Sequence, residues 1–373
     1  MNAGRLRIDS LTGLRFFAAI WVVLFHIRGN LQQEYPVAYR VVEPVIAYGE
    51  YGVDLFFALS GFVLALAYSE RLGQRWSWKA TGKFYWARFA RIWPAYFFML
   101  LFTAFWHLSF VWRDIADPVA PRDLSWGSFL RQALMIVLWT EPNSDRLTWN
   151  GAAWTVSAEM LAYLVFPAFA LIVHRHVCQA RARTLAAWTL LLILPLGIVA
   201  MRSGLYAPWM WVLRIACSFG AGYMAFFLML RIRGRTWAKR WSGAFVGISL
   251  VGAFLWLSFC LGLGEHDRGN IVIVLFPFLL TALSIDREWI ARLMELPAAQ
   301  LGGKISYSIY LVHMPIIEIL WYLQTYHKST CSPDQPAAKI GFLLIPIVVT
   351  LAGYLLWRFI EEPARRMLKK VIS

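Results

Sequence analysis

Acid is scarce in this chain. Its 373 residues hold 21 Asp and Glu against 36 Lys and Arg, a formal charge of +15. In a soluble protein that excess would raise the question of nucleic acid. Here the basic residues gather in short segments between apolar runs, as in the cytoplasmic loops of membrane proteins, so no nucleic-acid partner is expected. Cysteine is scarce too. Cys217 and Cys260 fall in apolar runs, Cys178 on the expected inner side, and only Cys331 outside, so no internal disulfide is expected. There is no glycine-rich nucleotide loop, no paired-cysteine metal motif, no fixed-period repeat and no low-complexity tract. The first apolar run lacks a small-residue cleavage site after it and is expected to stay as a helix. No loop is long enough for a separate domain, the longest being 111–149, so residues 1–373 read as a single membrane domain.

What the chain has in abundance is apolar surface. It is 60% hydrophobic with a mean hydropathy of +0.55, and rich in Trp, Tyr and Phe, some of which belts at the two membrane surfaces absorb. Runs long enough to cross a bilayer recur at 11–27, 47–68, 89–110, 150–173, 184–201, 208–230, 242–262, 269–285, 305–326 and 339–360. The expected fold is therefore all-α, a polytopic membrane helical bundle of about ten transmembrane helices. The shorter run 126–140 carries Arg131 and reads as a re-entrant or surface helix. Most Lys and Arg fall between alternate spans: Arg5 and Arg7, Arg71 to Arg91, Arg175 to Arg183, Arg231 to Arg240, Arg287 to Lys304, and Arg365 to Lys370. That asymmetry places both termini in the cytoplasm.

Several spans carry polar groups that are costly in lipid. Arg15 and His26 are eleven positions apart. Eleven helical steps turn about 1100°, close to three full turns, so the two share one face about 16 Å apart along the axis. Arg15 lies near the inner end and His26 near the outer one. The plain structural alternative is that Arg15 snorkels and His26 is interfacial. The next span, "EYGVDLFFALSGFVLALAY", enters from outside with Asp54 a few residues in, at a depth similar to that of His26. A carboxylate there would fix an imidazole's tautomer and raise its basicity, as a general base requires. Its structural alternative is a helix-start carboxylate favoured by the macrodipole. Gly61 reads as a close-packing position.

In "KFYWARFARIWPAYF", Arg88 and Arg91 are one turn apart on one face at the inner surface. They are either topology anchors or a phosphate site, with Arg15 at the same depth. Pro94 should kink or loosen that helix. Glu159 lies about two turns into its span, and His313 near mid-membrane with Tyr307 and Tyr310 below it. His313 is either a satisfied packing residue or a site residue. Arg214 faces an unknown partner. His174, His176 and Cys178, in "HRHVCQARAR", read as part of a cytoplasmic turn rather than a metal site, and no metal is expected. Glu361 and Glu362 mark the end of the last span.

Five stretches in order, Arg15 through His26, "GVDLFFALSGF", "RFARIWPAY", "WTVSAEMLAY" and "SYSIYLVHMP", resemble the acyltransferase-3 family of integral membrane O-acyltransferases. The resemblance covers nearly the whole chain. It implies a multi-pass protein of the bacterial inner (plasma) membrane that acylates surface or secreted glycans, such as exopolysaccharides, or their lipid-linked precursors. Acetyl-CoA is the implied donor, with no permanently bound cofactor. It also implies that Arg15 and His26 are essential and that the Arg88/Arg91 motif matters. Some members carry an extracytoplasmic hydrolase-like domain after the membrane unit; this chain is expected to lack one.

The two lines of reasoning join. Arg15, Arg88 and Arg91 would hold the anionic donor, and His26, oriented by Asp54, would take the proton of an acceptor hydroxyl. Glu159 joins the catalytic candidates, and His313, Tyr307 and Arg214 are candidates for acceptor contacts or proton handling. An acyl-histidine intermediate is the variant mechanism. Acetyl, succinyl and other short acyl groups all remain open. The alternative from another class is a proton-coupled transporter or exporter of a small solute, which would use the same intramembrane ionisable residues. Two halves with matching broken helices would favour it, and no such symmetry is seen.

Overall fold

The computed structural model describes residues 8–117, 122–144, 148–286, 288–326 and 336–370, the side chains of 336–338 excepted. Arg5, Arg7, Arg287 and Cys331 lie outside the described residues. Within them all regular structure is helical: α1 (Asp9–His26), α2 (Arg28–Glu34), α3 (Pro36–Ile46), α4 (Tyr51–Gly73), α5 (Trp78–Trp112), α6 (Trp126–Ala133), α7 (Ala153–Gln179), α8 (Ala182–Ser203), α9 (Met210–Ile232), α10 (Thr236–Gly262), a 3₁₀ segment His266–Leu275 leading into α11 (Phe276–Leu283), α12 (Trp289–Glu295), α13 (Pro297–Tyr326), and α14 (Pro336–Leu356), which passes through a π-helical turn, Trp357–Glu361, into α15 (Glu362–Lys369). An all-helical backbone satisfies its own hydrogen bonds, as lipid demands.

Among the described residues, nine helical stretches are long and apolar enough to cross a membrane. They match nine of the ten expected spans. The tenth, 305–326, lies within the 30-residue α13, which is not among the nine and carries Lys304, Ser306, Ser308, His313 and Glu318. The span expected at 269–285 is half 3₁₀ rather than one α-helix. The segment expected between the first two spans is helical, as α2 and α3. The amphipathic run at 126–140 is α6 only to Ala133, capped at its start by the Ser125 hydroxyl, which accepts from the Ser128 amide at 3.1 Å.

Two compact units divide the chain. The first comprises residues 1–18, 50–85 and 161–304, the second 19–49, 86–160 and 305–373. In the first, α9 is mostly buried and packs on α4 and α8, whereas α10 is mostly exposed. Glycine sets the α4–α9 distance. A Cβ at Gly61 would lie 2.0 Å from the Phe219 carbonyl oxygen, and one at Gly222 would lie 2.0 Å from that of Ala58. Apolar association gains little in lipid, so such small-residue contacts supply the packing. Gly61 thus has the close-packing role that its sequence predicts.

In the second unit, Leu100 and Ala104 of α5 form a core with Trp149, covered by Phe129 and Ala133 of α6. Gly353 of α14 meets the backbone of Ile309 on α13. The π-helical turn then buries Glu361, which accepts a 2.7 Å hydrogen bond from the Ser308 hydroxyl on α13.

Candidate active site

His26 is the last residue of α1. Its Nδ1 lies 2.8 Å from the carbonyl oxygen of Val22, one turn back. A carbonyl only accepts, so Nδ1 carries the hydrogen and Nε2 the lone pair. His313, on α13 in the same unit, repeats the arrangement. Its Nδ1 lies 2.5 Å from the Tyr310 carbonyl oxygen, and its Nε2 is buried with no hydrogen-bond partner among the described residues. The two imidazoles meet edge to face, with centroids 4.9 Å apart and planes at 64°. His313 is 1% exposed and His26 is half-buried. On α2, Arg28 folds back over the Phe25 ring at 3.8 Å and donates to the Phe25 carbonyl. Asn30 accepts from Trp321 Nε1 at 3.2 Å. The segment that follows α1 and the C-terminal half of α13 are thereby joined in the same unit as the two rings.

The His26 ring, expected to be oriented by Asp54, is held at Nδ1 by the Val22 carbonyl. The carboxylate belongs instead to a pair in the first unit. Arg214 on α9 donates from Nε to Oδ1 at 3.1 Å and from a terminal nitrogen to Oδ2 at 2.7 Å, with both side chains fully buried. The same nitrogen reaches the Glu50 carbonyl at 3.3 Å. The Arg214 guanidinium is therefore compensated inside the fold, which accounts for its position without an acceptor contact. Two-point geometry of this kind is what keeps a buried pair tolerable in a low-dielectric interior.

The other expected site residues fall as follows. Arg15 is half-buried on α1, on a stretch pinned in the first unit: Ser10 donates to Leu283, Gln300 donates to Asp9, and Gly13 abuts the Met294 carbonyl. Arg88 and Arg91 are half-buried on α5, where Trp86, Phe89, Trp93 and Phe97 form a run of ring contacts along the helix. Pro94 lies inside α5 without ending it. The Tyr307 hydroxyl donates to the Ile92 carbonyl at 3.0 Å, fastening α13 to α5 just beyond Arg91. Glu159 is half-buried early in α7. Cys178 sits 3.6 Å from His174 Nε2, and no group of three or more potential metal-binding His, Cys, Asp or Glu side chains occurs among the described residues.

One constellation escaped the sequence reading. His107 on α5 is within 2.9 Å of Asp117 through Nδ1 and within 3.6 Å of Glu318 on α13 through Nε2. Arg122 bridges the same two carboxylates, at 3.3 Å to Asp117 and 2.6 Å to Glu318, and donates to the Thr148 carbonyl. Gln132 and Thr148 extend the network along the segment that follows α5. The signal was present: His107 and Glu318 are ionisable residues inside expected spans.

These features can be set beside known proteins. The model of the acyltransferase-3 family, described as an acyltransferase domain, matches residues 8–358. The chain is 26% identical to Acyltransferase MdmB of Streptomyces mycarofaciens, over 97% of this chain and 93% of that protein. It is 24% identical to the putative peptidoglycan O-acetyltransferase YrhL of Bacillus subtilis, over 96% of this chain and 55% of that one. It is 22% identical to the peptidoglycan O-acetyltransferase OatA of Listeria monocytogenes, over 97% and 56%. The chain thus spans nearly the whole of the first relative and about half the length of the other two. No solved structure matches it.

Proposed function

The chain belongs to the acyltransferase-3 family of membrane acyltransferases, and from that premise we propose that it moves a short acyl group, acetyl in the simplest case, from cytoplasmic acyl-CoA to a hydroxyl of a surface or secreted glycan or its lipid-linked precursor. The observation that carries this reading is the state of His26. With Nδ1 held by the Val22 carbonyl, Nε2 keeps its lone pair at the end of the helix, which is what a general base needs. The acceptor O–H gives its proton to Nε2 as its oxygen attacks the thioester carbonyl. The C–O bond forms, the C–S bond breaks, and the thiolate leaves with a proton. The donor's phosphates are assigned to guanidiniums: Arg88 and Arg91 on α5 and, from the sequence, Arg15. Glu159 is assigned to acceptor or proton handling on its position in the sequence.

The basic bias of alternate loops supports cytoplasmic termini in a bacterial inner membrane, with the donor entering from the side of Arg88 and Arg91. Two relatives are named for peptidoglycan O-acetylation, which supports a glycan acceptor. The test is mass spectrometry of surface glycans from a deletion strain and from the same strain complemented with the gene. A mass increment equal to one acyl group should vanish in the first and return in the second. Identical glycan masses in the two would overturn the glycan acceptor.

A further inference from the structure

Two imidazoles face each other in the second unit, and the mechanism above uses only one. Both are held the same way, with Nδ1 turned back to a carbonyl of their own helix, Val22 for His26 and Tyr310 for His313. Both therefore turn a basic nitrogen away from that carbonyl. The His313 Nε2 is buried without a hydrogen-bond partner among the described residues, a state that costs free energy on the order of 1–3 kcal/mol for a polar group. A ring kept only for packing would be better served by phenylalanine or leucine. The centroid distance of 4.9 Å leaves no room for a third side chain between the rings.

We propose that His313 is the positioning partner of His26, its neutral ring packed against the base and stabilising the imidazolium that forms when the acceptor hydroxyl gives up its proton. This rests on the reading of His26 as the base. When His26 becomes an imidazolium, a neutral ring with a free lone pair is already beside it. The proton stays on His26 while the C–O bond forms, and it leaves on the thiolate after the C–S bond breaks, so nothing accumulates on the protein. The pair holds one such proton easily and two with difficulty, because two adjacent imidazoliums repel. The charged group acting on His26 from another element is Arg28 on α2, and the titratable group acting on His313 is His26 itself.

The test is the pH dependence of kcat for wild type and His313→Gln in membranes, with His26→Ala alongside. Glutamine keeps a polar side chain of similar reach and cannot titrate. His313→Gln should accumulate normally, keep both KM values within about twofold, and lose tenfold or more in kcat, within the range general acid–base groups supply. Its acid limb should move to lower pH, since His26 loses the neighbour that favours its protonated form. An unchanged kcat and acid limb, with His26→Ala inactive, would overturn the role of His313 and leave His26 as the base. Activity retained by His26→Ala would overturn the assignment of His26 itself. If His313→Gln fails to accumulate, ring ¹⁵N shifts of the wild-type protein decide. Coupled two-step titration of the two rings supports the pair, and two independent single steps exclude it.

Discussion

Asp54 and His26 are both polar groups held among apolar helices, and the fold treats them in opposite ways. Asp54 has each oxygen matched to a nitrogen of Arg214, charge against charge, with neither side chain exposed. His26 has one nitrogen tied to its own helix, and its ring lies against a second imidazole whose outer nitrogen is unmatched. The first arrangement is closed on the carboxylate: both of its oxygens are matched, and breaking it leaves a buried charge. The second keeps basic lone pairs in a setting where proteins ordinarily match every polar atom. If His26 acts on a substrate as proposed, the difference is that between a polar group that holds the fold and one that keeps a lone pair for chemistry.

The comparison can be broken first at His26. His26→Ala should lower acyl transfer by about 10²–10⁴-fold, the contribution typical of a general base, while the protein accumulates in membranes as wild type does. Transfer is read by the label passed from acyl-CoA to the native glycan. A variant that is active, or one that is absent from the membrane, would place His26 with Asp54 among the structural groups.

The second break is at the ion pair. Asp54→Asn removes one partner of a buried pair and should cost about 3–5 kcal/mol of stability, read as a lower thermal midpoint of the purified protein. Asp54→Leu combined with Arg214→Met replaces both charges with apolar side chains and should recover most of that loss, along with transfer. Recovery of folding without recovery of transfer would return Asp54 to the chemistry.

The smallest effect separates two glycines. Gly61→Ala drives a methyl into the Phe219 carbonyl and should cost about 1–3 kcal/mol. Gly247→Ala on α10 meets nothing within 4 Å and should change the thermal midpoint little, or raise it slightly through helix propensity. Equal effects at the two positions would deny that α4 and α9 are packed more closely than α10.

The spans were legible because apolar length is a local property, and the expected bounds of α7, α8 and α9 lie within a few residues of those observed, apart from the C-terminal end of α7. His26 and His313 were legible as isolated costs in lipid. Their mutual contact was not, since 287 positions separate them and no periodic pattern links α1 to α13. The partner of Asp54 was missed for a related reason. Depth matching favoured the neighbouring span, while Arg214, 160 residues away, carried the opposite charge and the bidentate fork. The His107 and Glu318 network needed Asp117 and Arg122, which belong to an irregular segment where sequence offers no period to follow. The 3₁₀ stretch before α11 was hidden by apolar composition, which does not distinguish helix types.

The π-helical turn between α14 and α15 makes this end of the chain a counting device. A π turn accommodates one more residue than an α turn, and at its end Glu361 meets Ser308. Removing one residue from Trp357–Glu361 would restore a regular helix and rotate everything beyond it by about 100°. Glu361 would swing off α13, and the Glu362 contacts to Arg365 and Arg366 would turn with it as a block. A substitution here changes one side chain, whereas a change in length turns every side chain that follows.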